Sequence, residues 1–463
     1  MTAALILVLA VALAYLAARV AFDWLARHFL IVSGAEYLLL GILLGPQVSG
    51  VLSAHTVQGF APIVTLALGW IGTIVGMQFY LPMLVRIPGD MYRLAFFEAL
   101  GTVAVVGGVE LVATSSLFGL TYAQAAIPAV ALGAIAAVSA PAAIEVVARQ
   151  LGQRGNVLRQ LQVTTAIDAL VGVFALGLLF CIHHPVGTAT PRPITATEWA
   201  VITIAIGVVG GALFHLFLGN ESDPDRIFIS LAGAVILASG AAAYLHLSPL
   251  LTSMVVGAML VNTSRNREQI AQTLANAERP FYFALLIFAG ATWEPSSRAW
   301  WLLPVLLFVC ARVLAKIGGG RLGARVMGAL PVLGPSWGRA LLGQGGLALA
   351  LALNYQQFQG MLLPQIVFTS AIVSILLTDF ASAHIVASVV TPLVGRVTRG
   401  VRRGRREAES REQRVESREA RGDTRAQGSD VRAGEESAVG RRDGDAASGS
   451  RTDAGESAVV EER

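Results

Sequence analysis

Apolar runs of about twenty residues recur from the start of the chain to about residue 395, the length an α-helix needs to cross the hydrocarbon core of a bilayer. No other feature restricts the fold as strongly. In lipid every backbone N–H and C=O must be satisfied within the protein, so segments of this length are read as helices. Composition agrees: 55% of residues are hydrophobic and only 14% are charged, too apolar for an ordinary soluble domain. The pattern predicts an all-α polytopic membrane protein with about 13 spans. The first six lie at about 3–22, 30–50, 57–80, 92–117, 124–148 and 160–182. The seventh lies at about 197–218, and the rest at about 226–244, 247–262, 280–295, 299–319, 337–356 and 363–394. The first run, TAALILVLAVALAYLAA, lacks a basic leading region and a clear small-residue cleavage site, so it reads as a retained span rather than a signal peptide.

Arginines test this count. The first connection and its flanks carry Arg19 and Arg27, the third Arg86 and Arg93, and the fifth Arg149, Arg154 and Arg159. The seventh carries Arg226, the ninth Arg265, Arg267 and Arg279, and the eleventh Arg321, Arg325 and Arg339. The intervening connections carry only Arg192 and Arg298. Basic residues collect in cytoplasmic loops, so the odd connections are expected inside, the N-terminus outside and the C-terminus inside. The expected location is the plasma membrane of a prokaryotic cell. The membrane domain is expected over 1–396. Beyond it, 397–463 is Arg, Glu, Asp, Gly and Ser with almost no large apolar side chain, which predicts a disordered, charged cytoplasmic tail. Its first arginines are placed to touch anionic lipid headgroups.

Several chemistries are disfavoured. No Walker A pattern occurs, and GGGRLG at 318–323 follows a membrane run rather than a strand, so neither ATP-driven transport nor a dinucleotide cofactor is expected. Cys181 and Cys310 are isolated, and the pair His183–His184 has no carboxylate or cysteine set around it, so no metal centre is expected. Nothing points to a nucleic-acid partner, a cofactor or an enzyme active site.

Charges inside apolar runs cost several kcal/mol unless paired or solvated, and they mark function by default. They are Glu98 and Glu110 in the fourth span, Glu145 in the fifth, Asp168 in the sixth, Arg312 and Lys316 in the eleventh, and Asp379 in the last. Glu145 and Arg149 are spaced to pair on one helix. Arg312 and Lys316 share a helix face and call for carboxylates from other spans. Lys316 is the only lysine in the chain. A genome biased toward arginine codons accounts for the missing lysines but not for the one that remains.

Two spans look interrupted. The fifth holds AVSAPAA, with Pro141 in mid-run, where the missing N–H frees a carbonyl. The twelfth holds GQGGLALA, where Gly343, Gly345 and Gly346 surround Gln344. If the first six and last six spans are repeats flanking the seventh, these two interruptions correspond, and an odd separation makes the repeats inverted. Matched breaks in inverted repeats point to a midplane transport site. Close helix packing through small residues is the competing explanation.

Several segments together resemble the monovalent cation:proton antiporters of the Kef-type and sodium/proton-exchanger branch. They are EYLLLGILLGP (36–46), SPLLTSMVVGAMLVNT followed by ERPFYFALLIFAGA, AKIGGGRLGARVMG, and GRALLGQGGLALALAL. The resemblance covers most of residues 1–395 and implies the sodium/proton antiporter fold. In that fold two broken helices cross in a core that moves against a scaffold, usually in a homodimer. It makes 1–396 a cation/proton exchanger domain trading Na+ or K+ for protons. It also implies an intramembrane pair between Lys316 and Asp168. In such a pair a cation on the carboxylate displaces the lysine and proton release accompanies binding; a permanent lock between two helices is the alternative. Ser139, Thr165 and Gln344 complete the implied site. Electrogenic relatives carry two adjacent aspartates, the first pairing with the lysine and the second taking the ion. Here Ile167 precedes Asp168 and Ala169 follows it. Aligned on Gly172, Asp168 is the lysine partner; shifted by one, it is the ion-binding residue. Other readings of the same fold are an uncoupled channel, a carrier for a different solute, and a non-transporting scaffold or sensor.

Overall fold

The computed structural model describes residues 35–389 apart from 142–143, 145–155, 186–193, 219–222, 295–298, 330–332, 359 and 380–383. The first expected span, the Glu145–Arg149 pair and the charged tail over 397–463 lie outside the described residues. Among the described residues there are helices and no strands. The main helices are α1 (Ala35–Leu44), α2 (Ala61–Met77), α3 (Gly89–Phe118), α4 (Tyr122–Ala137), α5 (Asn156–Ile182) and α6 (Ala196–Leu218). They continue with α7 (Pro224–Tyr244), α8 (Pro249–Thr263), α9 (Arg267–Thr292), α10 (Leu302–Val326), α11 (Gly345–Gln357) and α12 (Pro364–Asp379). Helices α3, α5, α6, α7 and α10 are each long and apolar enough to cross a membrane.

Local chemistry sets the ends. Thr121 and Gln124 form a reciprocal capping box at the start of α4, satisfying two N–H groups that the first turn leaves free. Asp223 caps α7 and Ser248 caps α8, each followed by proline in the first turn, where its absent N–H is not missed. Helix α3 stops at Gly119, in the left-handed conformation with φ 65°.

The helices fall into two packed groups. One joins α2 to α8, with α6, α7 and α9 against them and α1 against α9. The other joins α3 to α4, α5 and α10. Helix α11 touches members of both. The α2–α8 seam is built on small residues: a Cβ added to Gly257 would sit 2.1 Å from the carbonyl oxygen of Thr73. Without water between helices, such backbone proximity is a main source of association in lipid.

One boundary differs from the apolar-run count. Helix α9 starts at Arg267, a dozen residues before the expected tenth span. Its first half is amphipathic: Ile270 and Leu274 are buried beside Trp70, while Gln272, Asn276 and Arg279 are exposed. A search for continuous hydrophobicity sees only the second half. Within the last expected span, the described residues Pro364–Asp379 and 384–389 are helical.

Candidate functional site

Both expected interruptions are present and they meet. Helix α4 ends at Ala137, and Val138 is extended at φ −66°, ψ 134°. On the other side a 3-10 turn at Trp337–Leu341 leads through Leu342, Gly343 and Gln344 into α11. The backbone N–H of Ala140 donates to the carbonyl of Gly343 at 2.8 Å, so the breaks touch through main chain. Gly345 takes φ +65°, and a Cβ there would lie 3.0 Å from that of Ala140. Glycine is needed on both counts. Pro141 immediately follows the first break, where it prevents an unbroken helix.

Each break frees carbonyls in a buried interior, and each must find a donor. Arg312 supplies three. Its Nε donates to Ala136 O at 3.1 Å, Nη1 to Leu342 O at 2.6 Å and Nη2 to Val138 O at 3.1 Å. One buried guanidinium thus ties both breaks together. Arg312 was expected to call for carboxylates from other spans; its hydrogen bonds go to carbonyls at half-helix C-termini, the negative ends of their dipoles, while Asp379, Glu98 and Asp168 act on its charge through space. At the opposite end the backbone N–H groups of Gln344 and Gly345 donate to the Asp379 carboxylate, with a shortest contact of 2.9 Å. This satisfies the exposed N-terminus of α11.

Lys316 lies one turn beyond Arg312 and is completely buried. Its Nζ donates to Asp168 Oδ2 at 2.9 Å, Glu98 Oε2 at 3.1 Å and Ala137 O at 2.6 Å. Those contacts use all three ammonium hydrogens. Asp168 Oδ2 also accepts from Ser139 Oγ at 2.6 Å, and the same hydroxyl lies 3.0 Å from Leu341 O. Thr102 Oγ1 donates to Glu98 Oε1 at 3.1 Å. Glu98 and Asp168 are both fully buried, and Asp168 Oδ1 has no hydrogen-bond partner. The cluster formally holds two carboxylates against one ammonium.

The residues expected at the site divide as follows. Asp168, Lys316 and Ser139 are in one bonded cluster. Gln344 sits at the crossing, with Nε2 donating to Ile135 O at 3.2 Å and Oε1 buried without a partner. Thr165 is on the right helix, one turn before Asp168, but its hydroxyl donates to Gln162 O of its own helix at 3.0 Å. Sequence reasoning did not place Glu98 in the site, although it noted the charge in an apolar run. It also missed the carbonyl-binding role of Arg312 and the Asp379 cap. Glu110, farther along α3, is buried with both carboxyl oxygens unpartnered and lies outside the bonded cluster.

Away from the cluster a cavity of about 610 Å³ lies between the first turn of α2, the α7–α8 turn, α9 and the C-terminal end of α11. Gln58, His246, Asn354, Gln356, Gln357 and Gln365 give it a lining of amides and an imidazole. No Asp, Glu, Lys or Arg lines it among the described residues.

Two interrupted helices crossing over a buried carboxylate–ammonium cluster define a secondary ion transporter. The chain belongs to the sodium/hydrogen exchanger family, matching its transmembrane domain over residues 36–391; it is an integral membrane cation:proton antiporter, not an enzyme. The fold is similar to the sodium proton antiporter MjNhaP1 from Methanocaldococcus jannaschii at pH 8, with a TM-score of 0.60 and 16% identity over 84% of this chain and 98% of that one. An electron-microscopy map of the same antiporter gives a TM-score of 0.59 and 17% identity, covering 85% of this chain and 97% of that one. No curated protein matches the sequence.

Proposed function

We propose that this antiporter exchanges sodium for protons at the Asp168 carboxylate, with Lys316 as the competing cation. One observation carries the reading. Asp168 is fully buried at the crossing of two broken helices, yet one oxygen is unpartnered and the other is held by an ammonium. A metal cation arriving there finds hard oxygen donors: the carboxylate, the Ser139 hydroxyl and carbonyls freed by the breaks. It must displace Lys316, since two cations a few ångströms apart in a dry site repel strongly. Gln344 supports the crossing and offers a free oxygen. Pro141, Gly343, Gly345 and Gly346 make the crossing possible. Thr165 joins the site only if its hydroxyl leaves its own helix.

The finer parts of the proposal rest on sequence. Alternating arginines support a cytoplasmic C-terminus and an external N-terminus; the membrane proposed is the plasma membrane of a prokaryotic cell. On that orientation the amide-lined cavity is the external approach. The transport domain is 1–396, followed by a solvated tail over 397–463. Lipid covers the exposed apolar faces, and the functional unit is a homodimer.

The test is sodium-driven proton movement in proteoliposomes carrying a pH dye, with potassium and chloride as comparison arms. The parent should acidify or alkalinise the lumen according to the sodium gradient, and Asp168→Asn should abolish the signal. Sodium-driven proton movement at the parental rate in Asp168→Asn would remove this site from the mechanism. A potassium response equal to the sodium response would widen the substrate.

A further inference from the structure

His184 lies just past the end of α5, the helix that carries Asp168, and both of its ring nitrogens meet carbonyl oxygens. Nε2 is 2.7 Å from Leu245 O and Nδ1 is 3.0 Å from Pro185 O. A carbonyl oxygen only accepts, so each contact is a hydrogen bond only when its nitrogen carries a hydrogen. Neutral imidazole has one N–H and imidazolium has two. Only the cation makes both bonds. The surroundings suit a cation as well. Leu245 closes the C-terminus of α7, and His184 itself follows the C-terminus of α5, so the negative ends of two helix dipoles lie beside the ring. Trp199, in the first turn of α6, stacks on it with centroids 3.7 Å apart and 16° between the planes, which sets a π-face against the same charge.

These contacts join parts of the molecule that otherwise pack with different neighbours. Helix α5 belongs with α3, α4 and α10, whereas α6, α7 and α8 belong to the other group. The turn that presents the Leu245 carbonyl is tight: His246 takes φ 53°, and the Leu247 N–H donates to Ala242 O at 2.8 Å. The same turn supplies His246 and Leu247 to the wall of the amide-lined cavity. A buried site that serves both sides of a membrane must change the side it faces, which in secondary transporters is rocking of one helix group against another. His184 bridges the two groups at the end of the helix that bears the site.

We infer that His184 is a proton-set clasp between the Asp168 helix and the neighbouring helix group, closed as the imidazolium and loosened when the ring loses a proton. This rests on the Asp168 reading above only in that Asp168 must change the side it faces. The sign follows from the bond count. Acid supplies the second N–H, keeps both bonds and slows the shift of α5. As pH rises through the range in which histidine titrates, about 5–8, one nitrogen becomes a lone pair facing a carbonyl oxygen, and exchange speeds up. The other titratable groups around the ring are few. His246, on the α7–α8 turn, approaches edge-on with centroids 6.3 Å apart. Glu198, beside Trp199 on α6, accepts from the backbone N–H and hydroxyl of Thr195 at 2.8 and 3.0 Å. On α5 itself, Cys181 lies 3.8 Å from the Thr203 hydroxyl, and His183 is exposed. No ion pair to His184 occurs among the described residues, and Arg192 lies outside them.

The test is sodium-for-sodium counterflow in proteoliposomes with the same pH on both sides. This mode moves no net proton, and its Vmax at saturating sodium is free of competition between sodium and protons at Asp168. In the parent, Vmax should rise about tenfold or more between about pH 5 and about pH 8, the value of one charge-assisted hydrogen bond. His184→Phe keeps the stack on Trp199 and has no donor; it should run at the high rate at both pH values with an unchanged sodium KM. His184→Gln, which carries no charge at either pH, should lose the step too and decides the matter if the phenylalanine variant fails to assemble. Solid-state NMR of protein carrying isotope-labelled histidine gives a direct reading. The ring signal missing from the variant should have two protonated nitrogens at about pH 5 and one at about pH 8. A flat parental Vmax, a parental step in the His184 variants, a step that follows His246→Gln instead, or a ring whose proton count does not change overturns the clasp. If Asp168→Asn still exchanges sodium, the site reading above is wrong. If Asp168→Asn is inactive while the His184 variants keep the parental step, only the clasp falls.

Discussion

Replacing Arg312 with methionine tests whether the helix crossing is braced as the geometry indicates. Methionine keeps much of the side-chain volume and removes three charge-assisted hydrogen bonds, to Ala136, Val138 and Leu342. Each such bond contributes about 1.5–3 kcal/mol. Their sum overstates the loss, because burying a guanidinium carries a desolvation cost of several kcal/mol. The carbonyls left behind belong to buried residues, so the net effect should be that of breaking a buried charged network, about 3–5 kcal/mol. At roughly 2–4 °C per kcal/mol for a mid-sized domain, the apparent melting point should drop by about 6–20 °C. The assay is fluorescence-detected size exclusion of detergent-solubilised protein after heating, read as a comparison because membrane proteins often unfold irreversibly. Arg312→Lys should fall between parent and methionine variant, since an ammonium lacks the planar fork that spans both breaks. A methionine variant that melts within about 2 °C of the parent would refute the brace, whatever its transport rate.

Two further outcomes follow from packing and topology. Gly257→Ala should separate α2 from α8, because its Cβ would meet Thr73 O at 2.1 Å and the Cα of Gly76 at 3.0 Å; the expected loss is about 1–3 kcal/mol or more, measured in the same heating assay. Gly101→Ala, where a Cβ meets nothing within 4 Å, is the control and should be neutral or slightly stabilising. In intact cells, a cysteine at Gln356 should react with an impermeant maleimide from outside and one at Gln269 only after permeabilisation; external labelling at Gln269 would reverse the orientation drawn from the arginines.

What the sequence discloses and what it hides differ for a physical reason. Interruptions are legible because they are local: proline cannot donate, and glycines around a polar amide cannot propagate a helix cheaply, so Pro141 and Gly343–Gln344–Gly345 mark breaks without reference to any neighbour. Partners across the crossing are not local. Arg312 and Lys316 are one turn apart on the same face, and nothing in that spacing says that one binds carbonyls and the other carboxylates. The difference arises because the breaks expose carbonyls, and their position in space depends on how α4 and α11 cross. Glu98 was hidden for the same reason. Helix α3 carries Glu98 and Glu110 in one apolar run, and only the packing of α10 against α3 brings the first to Lys316. Thr165 is the converse case: its position near Asp168 was legible, but a threonine inside a helix can satisfy its hydroxyl on its own backbone, and here it does. The lone lysine, then, announced a buried pair, while the third member of the cluster could be found only by following which atoms meet its ammonium.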